Sequence, residues 1–291
     1  MSIGNEIKNS FRRSDNLAKL IYINLAVFII AGLLSILNIN YENYLEMPSS
    51  ASLFFTRIWT IFTYMFLHTN FIHLIFNVIF LYWAGRFFLA YFTEKQLVGL
   101  YLIGGIFGGI FYLFIFNIFP YLEVFKSYLE AFKDKPLVGA SASIFAIITA
   151  SAVTAPRAEI RVPFIGNIKL MYIAIALIVI GLLPSNNSGY IAHLGGVLTG
   201  CLFAICIKKG KDLTAPLNKM IDFFVNKLKR KPKETRFTYT YTYGKNVDYE
   251  YNRRKKQESE EIDAILDKIK KSGYDNLTEE EKKRLFEQSQ K

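Results

Sequence analysis

"PLVGASASIFAIITASAV", Pro136 to Val153, is an apolar run broken near its start by five small residues, Gly139 to Ser143. A run of this kind crosses a membrane or lies deep in a core. Its two early hydroxyls, Ser141 and Ser143, stand about 200° apart around a helix, so only one of them can face a given neighbour. Serine on such a helix is most often packing material between helices. Whether one of them does chemistry depends on what else shares its depth.

The chain around this stretch is strongly apolar: 52% of its 291 residues are hydrophobic and 16% aromatic, more than a soluble domain of this size carries. The long apolar runs lie between residues 20 and 208, and residues 209–291 are polar. A membrane-crossing helix needs about 20 mostly apolar residues. Six segments answer to that, at 20–37, 72–92, 97–118, 137–155, 169–183 and 189–207. The expected fold is an all-α membrane protein, a six-transmembrane-helix bundle with a cytoplasmic C-terminal tail containing short helices. Its parts are an N-terminal arm at 1–19, the six-span domain at 20–208, a basic amphipathic and linker segment at 209–257, and a helical hairpin at 258–291.

The net charge of +11 sits where a membrane surface, and not nucleic acid, would meet it. Lys8, Arg12, Arg13 and Lys19 precede the first span, and Lys208, Lys209 and Lys211 follow the sixth. Arg86 and Lys95 flank the second connection, and Arg157, Arg161 and Lys169 the fourth. In the opposite connections Arg57, Lys126, Lys133 and Lys135 are mixed with Glu42, Glu46, Glu123, Glu130 and Asp134. The positive-inside rule then puts both termini in the cytoplasm. The N-terminus reads as an uncleaved first span. The stretch "SLFFTRIWTIFTYMFLH", Ser52 to His68, belongs in the outer interface. Cys201 and Cys206 lie in the last apolar run and read as small apolar side chains.

Strongly polar residues inside spans are costly, so each is a functional candidate. The three histidines, His68, His73 and His193, all lie at or just inside the start of an even-numbered span. Asn77 follows His73 by four residues and shares its helical face. Spans two, four and six all begin on the external side, so Ser141, His193, His73 and Asn77 fall within roughly 10 Å of the outer boundary. A serine hydroxyl becomes a nucleophile when a neighbouring base takes its proton, and neutral imidazole is the usual base near neutral pH. Ser141 and His193 supply that pair. Backbone N–H groups at the start of span four, with His73 and Asn77, could hold the oxyanion of an acyl-transfer intermediate.

These residues resemble those of the rhomboid intramembrane serine proteases. The likeness covers residues 15–208 and rests on "HTNFIHLIFN" (His68, His73, Asn77), on "GASAS" at the family's Gly-x-Ser position (Gly139, Ser141), and on "AHLGGVLTG" (His193, Gly196, Gly200). It implies a rhomboid-like bundle in which Ser141 is the nucleophile and His193 the base, a dyad without an acidic third member. It implies an oxyanion site of the Ser141 N–H, His73 and Asn77. His68 would shape the outer end of span two, and Phe145 would pack on the catalytic imidazole. Gly196 and Gly200 would let span six approach span four, and "GGIFGG", Gly104 to Gly109, would be structural.

Two departures stand out. The family often has Gly after the serine, where Ala142 stands here and should narrow the space beside the oxyanion site. The outer loop often carries Trp-Arg, where this chain has Trp59-Thr60 with Arg57 nearby.

The resemblance implies a serine-type endopeptidase in a bacterial inner membrane, with transmembrane proteins as substrates, the lipid bilayer as surroundings, and no cofactor, metal or nucleic acid. A non-catalytic relative that binds membrane helices would typically lack Ser141 or His193. A proton- or metal-linked transporter would need acidic partners inside the spans, and no convincing one is present.

In the tail, Met220, Ile221, Phe224, Val225 and Leu228 recur at helical spacing beside Lys219, Lys227, Lys229, Arg230 and Lys231, a basic amphipathic helix suited to an anionic leaflet. "TRFTYTYTYGKNVDYEY" within 232–257 reads as linker or strand. Ile262, Ile265, Leu266 and Ile269 form an apolar face, Gly273 suits a C-cap, and "TEEE" from Thr278 opens a final helix with a capping box.

Overall fold

A computed structural model describes residues 14–119, 135–162, 166–183, 189–228 and 245–289. The chain forms two units, Met1–Lys229 and Arg230–Lys291.

Helix α1 (Asn16–Ile36) begins where the Asp15 carboxylate accepts the Ala18 N–H at 2.8 Å. That bond satisfies one of the otherwise orphaned donors of a helix start. Three short helices follow, α2 (Glu42–Leu45), α3 (Ala51–Thr56) and α4 (Thr60–Thr63), and then a 3-10 turn at Tyr64–Phe66. The long helix α5 (Phe71–Leu89) is capped by Asn70, and α6 (Glu94–Ile118) by a reciprocal Thr93/Gln96 capping box. Helices α7 (Ser141–Thr154) and α8 (Leu170–Gly181) are shorter, and α9 (Gly189–Lys208) and α10 (Ala215–Leu228) close the unit.

Among the described residues four helices, α1, α5, α6 and α9, are long and apolar enough to cross a membrane, and α7 and α8 are shorter apolar helices. The sequence reading, which put the fourth span at 137–155 and the fifth, the shortest, at 169–183, is corrected here: both helices are shorter. Helix α7 has 14 residues, about 21 Å at helical rise, against roughly 30 Å of hydrocarbon. It starts late because the chain before it is held extended. Met47 and Leu137 exchange backbone bonds at 3.2 and 2.8 Å, and the Gly139 N–H donates to the Tyr64 carbonyl at 2.9 Å. Helix α8 begins at Leu170, within one residue of the start read from sequence, where Gly166–Lys169 (β2) ends its antiparallel pairing with Glu159–Val162 (β1), and it stops at Gly181. This hairpin is an addition to the expected all-α fold; the polar/apolar alternation of Glu159 to Val162 carried its signal.

The outer faces of these helices are greasy: Ile30, Phe76 and Ile180 are 55%, 55% and 64% exposed. Helices with apolar residues on all sides are those whose solvent is lipid. The inner faces are lined by small residues. Helix α7 is the hub, packed against α5, α6, α8 and α9. A side chain at Gly196 or Gly200 on α9 would run into the carbonyls of Ala142 and Ala146, and one at Gly195 would lie 2.8 Å from Gly108 Cα on α6. Close backbone approach of this kind requires glycine.

The segment 38–70 is wedged between these helices by polar ties. Tyr64 donates to the Gly105 carbonyl at 2.5 Å, Tyr101 to the Met65 carbonyl at 3.0 Å, and Asn117 to the Ser49 carbonyl at 2.8 Å. Arg57 donates to the Asn43 carbonyl and lies over the Tyr44 ring, and Trp59 Nε1 donates to the Tyr44 carbonyl at 2.8 Å. Arg57 and Trp59 thus tie the same turn, although Thr60 stands where the resemblance expects arginine.

Helix α10 carries exposed Met220, Phe223, Phe224 and Val225. Its polar side is tied to α6 by Lys95–Asp222 at 2.7 Å and by a methyl-free contact at Gly99, whose missing Cβ would lie 2.6 Å from Thr214 Cβ.

In the second unit α11 (Lys245–Ser272) starts well before the boundary at 258 expected from sequence, and residues 229–244 lie outside the described residues. Gly273 takes the left-handed backbone (φ 81) that ends it. Helix α12 (Glu279–Ser289) opens with the capping box read from "TEEE": Thr278 N–H to Glu281 Oε2 at 2.7 Å and Glu281 N–H to Thr278 Oγ1 at 3.3 Å. Ile265 and Leu277 are buried, whereas Leu266, placed on the apolar face in the sequence reading, is 49% exposed.

Candidate active site

Ser141 is the first residue of α7, and no side chain among the described residues caps this helix start. The free N–H groups and the positive end of the helix dipole therefore face the space beside its own hydroxyl. That space exists because Gly139 has no side chain. It adopts φ +117, which only glycine takes readily. A Cβ there would lie 2.9 Å from His73 Nε2 and 3.8 Å from Ser141 Oγ.

His193, on α9, brings Nε2 to 2.8 Å from Ser141 Oγ, and its Nδ1 lies 2.6 Å from the Gly181 carbonyl at the end of α8. A carbonyl oxygen only accepts, so Nδ1 must carry the proton. In a neutral imidazole that leaves Nε2 as an acceptor. The tautomer is thus set to receive the Ser141 proton. The ring of Phe145, one turn beyond Ser141, lies against that of His193 with centroids 4.5 Å apart. Gly181 makes room for it, since a Cβ there would lie 2.9 Å from Phe145 Cε2.

Just before α5 the Thr69 hydroxyl is 3.2 Å from His73 Nδ1, and the capping Asn70 Oδ1 accepts the His73 backbone N–H at 2.9 Å. Asn77 Nδ2 donates one hydrogen to the His73 carbonyl at 2.8 Å. An amide nitrogen has two, and no partner among the described residues takes the second. His68 is buried, edge-on to His73 with ring centroids 5.2 Å apart. Ser141, His193, His73, Asn77, Phe145 and Tyr190 all line one cavity of about 340 Å³. Among the described residues no Asp or Glu is hydrogen-bonded to any of the three histidines.

Ser143 is fully buried on the other side of α7, its Oγ 2.9 Å from where a Cβ of Gly105 would be. The effect expected of Ala142 is corrected: its methyl meets α6, 2.6 Å from where a Cβ of Gly108 would lie. It does not narrow the space between Gly139 and His73. Sequence reasoning missed Gly181 and Thr69. Gly181 had a weak signal, as the one glycine in an otherwise apolar fifth segment.

Comparison with known proteins bears on this arrangement. The Rhomboid domain family matches residues 56–210. The chain belongs to the rhomboid family. Rhomboids are in general intramembrane serine proteases, and this rhomboid is a membrane protein. It is 30% identical over 172 residues to RHOMBOID-like protein 12, mitochondrial, of Arabidopsis thaliana, an alignment covering 53% of this chain and 48% of that protein. The chain thus spans about half the length of this curated relative. Residues 245–291 of the rhomboid match a family of unknown function (DUF6576).

Proposed function

We propose that this rhomboid is an intramembrane serine endopeptidase that hydrolyses a peptide bond of transmembrane protein substrates near the external membrane boundary. The observation that carries this reading is the 2.8 Å approach of Ser141 Oγ to a His193 Nε2 whose tautomer is set by Gly181.

In the reaction, His193 Nε2 takes the Ser141 proton as Oγ attacks the scissile carbonyl carbon. The positive imidazolium is stabilised through Nδ1–H on the Gly181 carbonyl, one of the unpaired carbonyls at the negative end of α8. The Gly181 carbonyl therefore does in this dyad what a carboxylate does in a triad, with a dipole in place of a charge. The oxyanion forms in the space left by Gly139, within reach of the Ser141 N–H, the His73 ring and the second Asn77 N–H. Such donors, held in place beforehand, are each worth about 2.7–4 kcal/mol in the transition state. His193 then gives its proton to the leaving amine. A water entering the cavity is deprotonated by Nε2, attacks the acyl-serine, and frees Ser141 and the new carboxylate.

In this reading α7 and α8 complete a six-span bundle in a bacterial inner membrane, with both termini cytoplasmic. The basic flanks of the even connections support that orientation. The short α7 then starts below the outer surface, which puts Ser141 inside the membrane but open to water from outside. The bilayer is the medium for α1, α5, α6 and α9, and the exposed apolar side of α10 rests on the inner leaflet.

The test is cleavage of a reporter with one transmembrane helix in proteoliposomes. Two fragments cut near the external boundary are expected from the wild type and none from Ser141→Ala. Equal cleavage by both would contradict the proposal.

A further inference from the structure

The hydrogen bonds around His73 have a direction. Asn70 Oδ1 accepts the His73 backbone N–H at 2.9 Å, which marks that atom as the oxygen of the amide. The other end, Nδ2, therefore donates to Thr69 Oγ1, 3.3 Å away. A hydroxyl has one proton to give, and besides Asn70 the only group bonded to Thr69 Oγ1 among the described residues is His73 Nδ1, at 3.2 Å. The oxygen already receives from Asn70 through one lone pair, and two arrangements remain: its second lone pair accepts from a protonated Nδ1, or its own proton goes to a bare Nδ1. The second uses the proton that Thr69 still has to give. A neutral imidazole has one N–H. In that arrangement it sits on Nε2, the atom that faces the space between Gly139 and Ser141.

We propose that Thr69 is a positioning residue, which holds His73 in the Nε2–H form so that the ring presents a donor to the oxyanion. This rests on the protease reading above. The two histidines of the site are then held in opposite tautomers by what stands at Nδ1. A carbonyl at His193 Nδ1 leaves Nε2 free to accept from Ser141, and a hydroxyl at His73 Nδ1 leaves Nε2 free to donate. Thr69 is exposed at the outer end of α5, so its hydroxyl can be removed without opening the core. The Asn70 cap, which fixes the direction of the chain, is also what starts the helix carrying His73 and Asn77.

The experiment is nitrogen NMR of ¹⁵N-histidine-labelled protein, in which three imidazoles give resolvable signals and His73 is assigned by its loss in His73→Gln. The wild type should show His73 with Nε2 protonated and Nδ1 bare. Thr69→Val, of the same shape without the hydroxyl, should give a mixture of tautomers. It should lower kcat on the transmembrane reporter roughly five- to tenfold with KM unchanged, the size of one net hydrogen bond. Thr69→Ser should restore both. A wild-type His73 protonated at Nδ1, or a tautomer unchanged in Thr69→Val, would overturn the proposal. The spectrum separates the two claims: failure of the protease reading appears as absent cleavage with the Nε2–H form intact, and failure of this inference as the wrong tautomer.

Discussion

His193 and Gly181 are joined across 2.6 Å, ring Nδ1 to backbone carbonyl. A backbone atom thus stands where a carboxylate would orient the base of a triad. It cannot be deleted by substitution, but its position can be moved. Gly181→Ala puts a methyl group against the Phe145 ring, which lies in turn on His193. Cleavage of the reporter should fall about ten- to a hundredfold, as expected when reacting groups are displaced by a fraction of an ångström. Adding Phe145→Leu should recover part of the loss. Strict additivity of the two changes would show that they do not meet at the imidazole.

Gly139→Ala tests the oxyanion space. The new methyl would stand 2.9 Å from His73 Nε2 on a backbone with φ +117. A drop in kcat of about a hundredfold or more is expected, with a thermal midpoint only a few degrees lower. Near-normal turnover would place the oxyanion elsewhere.

The two serines separate cleanly. Ser143 is packed at Gly105, away from His193, so Ser143→Ala should retain most of the cleavage measured for the wild type. A loss as complete as that of Ser141→Ala would show that the wrong hydroxyl has been assigned.

Glu46 gives the segment 38–70 a pH dependence. Burial, with Glu42 adding to it, pushes its carboxyl up from 4.5 to about 6. A raised folded-state value means that the protonated form fits the fold better. Its contribution to stability is present below pH 4.5 and lost as pH rises through about 6. The thermal midpoint of the wild type should therefore fall over that interval relative to Glu46→Gln, which should be the more stable of the two at pH 7.5. Parallel pH profiles for the two proteins would contradict this.

The candidate site was legible in the sequence because its members are polar side chains in apolar helices, where each one costs energy to keep. Helical periodicity and the alternation of span direction were enough to give Ser141, His193, His73 and Asn77 a common depth, and they line one cavity. Gly181 was not legible because what it offers His193 is a main-chain carbonyl, which every residue has. Thr69 was not legible because its bond to His73 depends on rotamers at a helix start. The helices α7 and α8 were read too long because hydrophobicity continues through Leu137 and Val138 before α7 and through Leu182 and Leu183 after α8, whereas helix does not: backbone bonds to Met47 and Tyr64 hold the first stretch extended. Ala142 was misjudged for a related reason. Neighbouring residues on a helix point in different directions, and its methyl turns toward Gly108.

The proposed chemistry stands or falls on whether His193 activates Ser141. The most direct measurement is labelling of the protein in native membranes by a serine-directed fluorophosphonate. One labelled band of the rhomboid is expected in the wild type, with its absence in Ser141→Ala, its loss or near-loss in His193→Ala, and its persistence in Ser143→Ala. Wild-type labelling no stronger than that of Ser141→Ala would contradict the account.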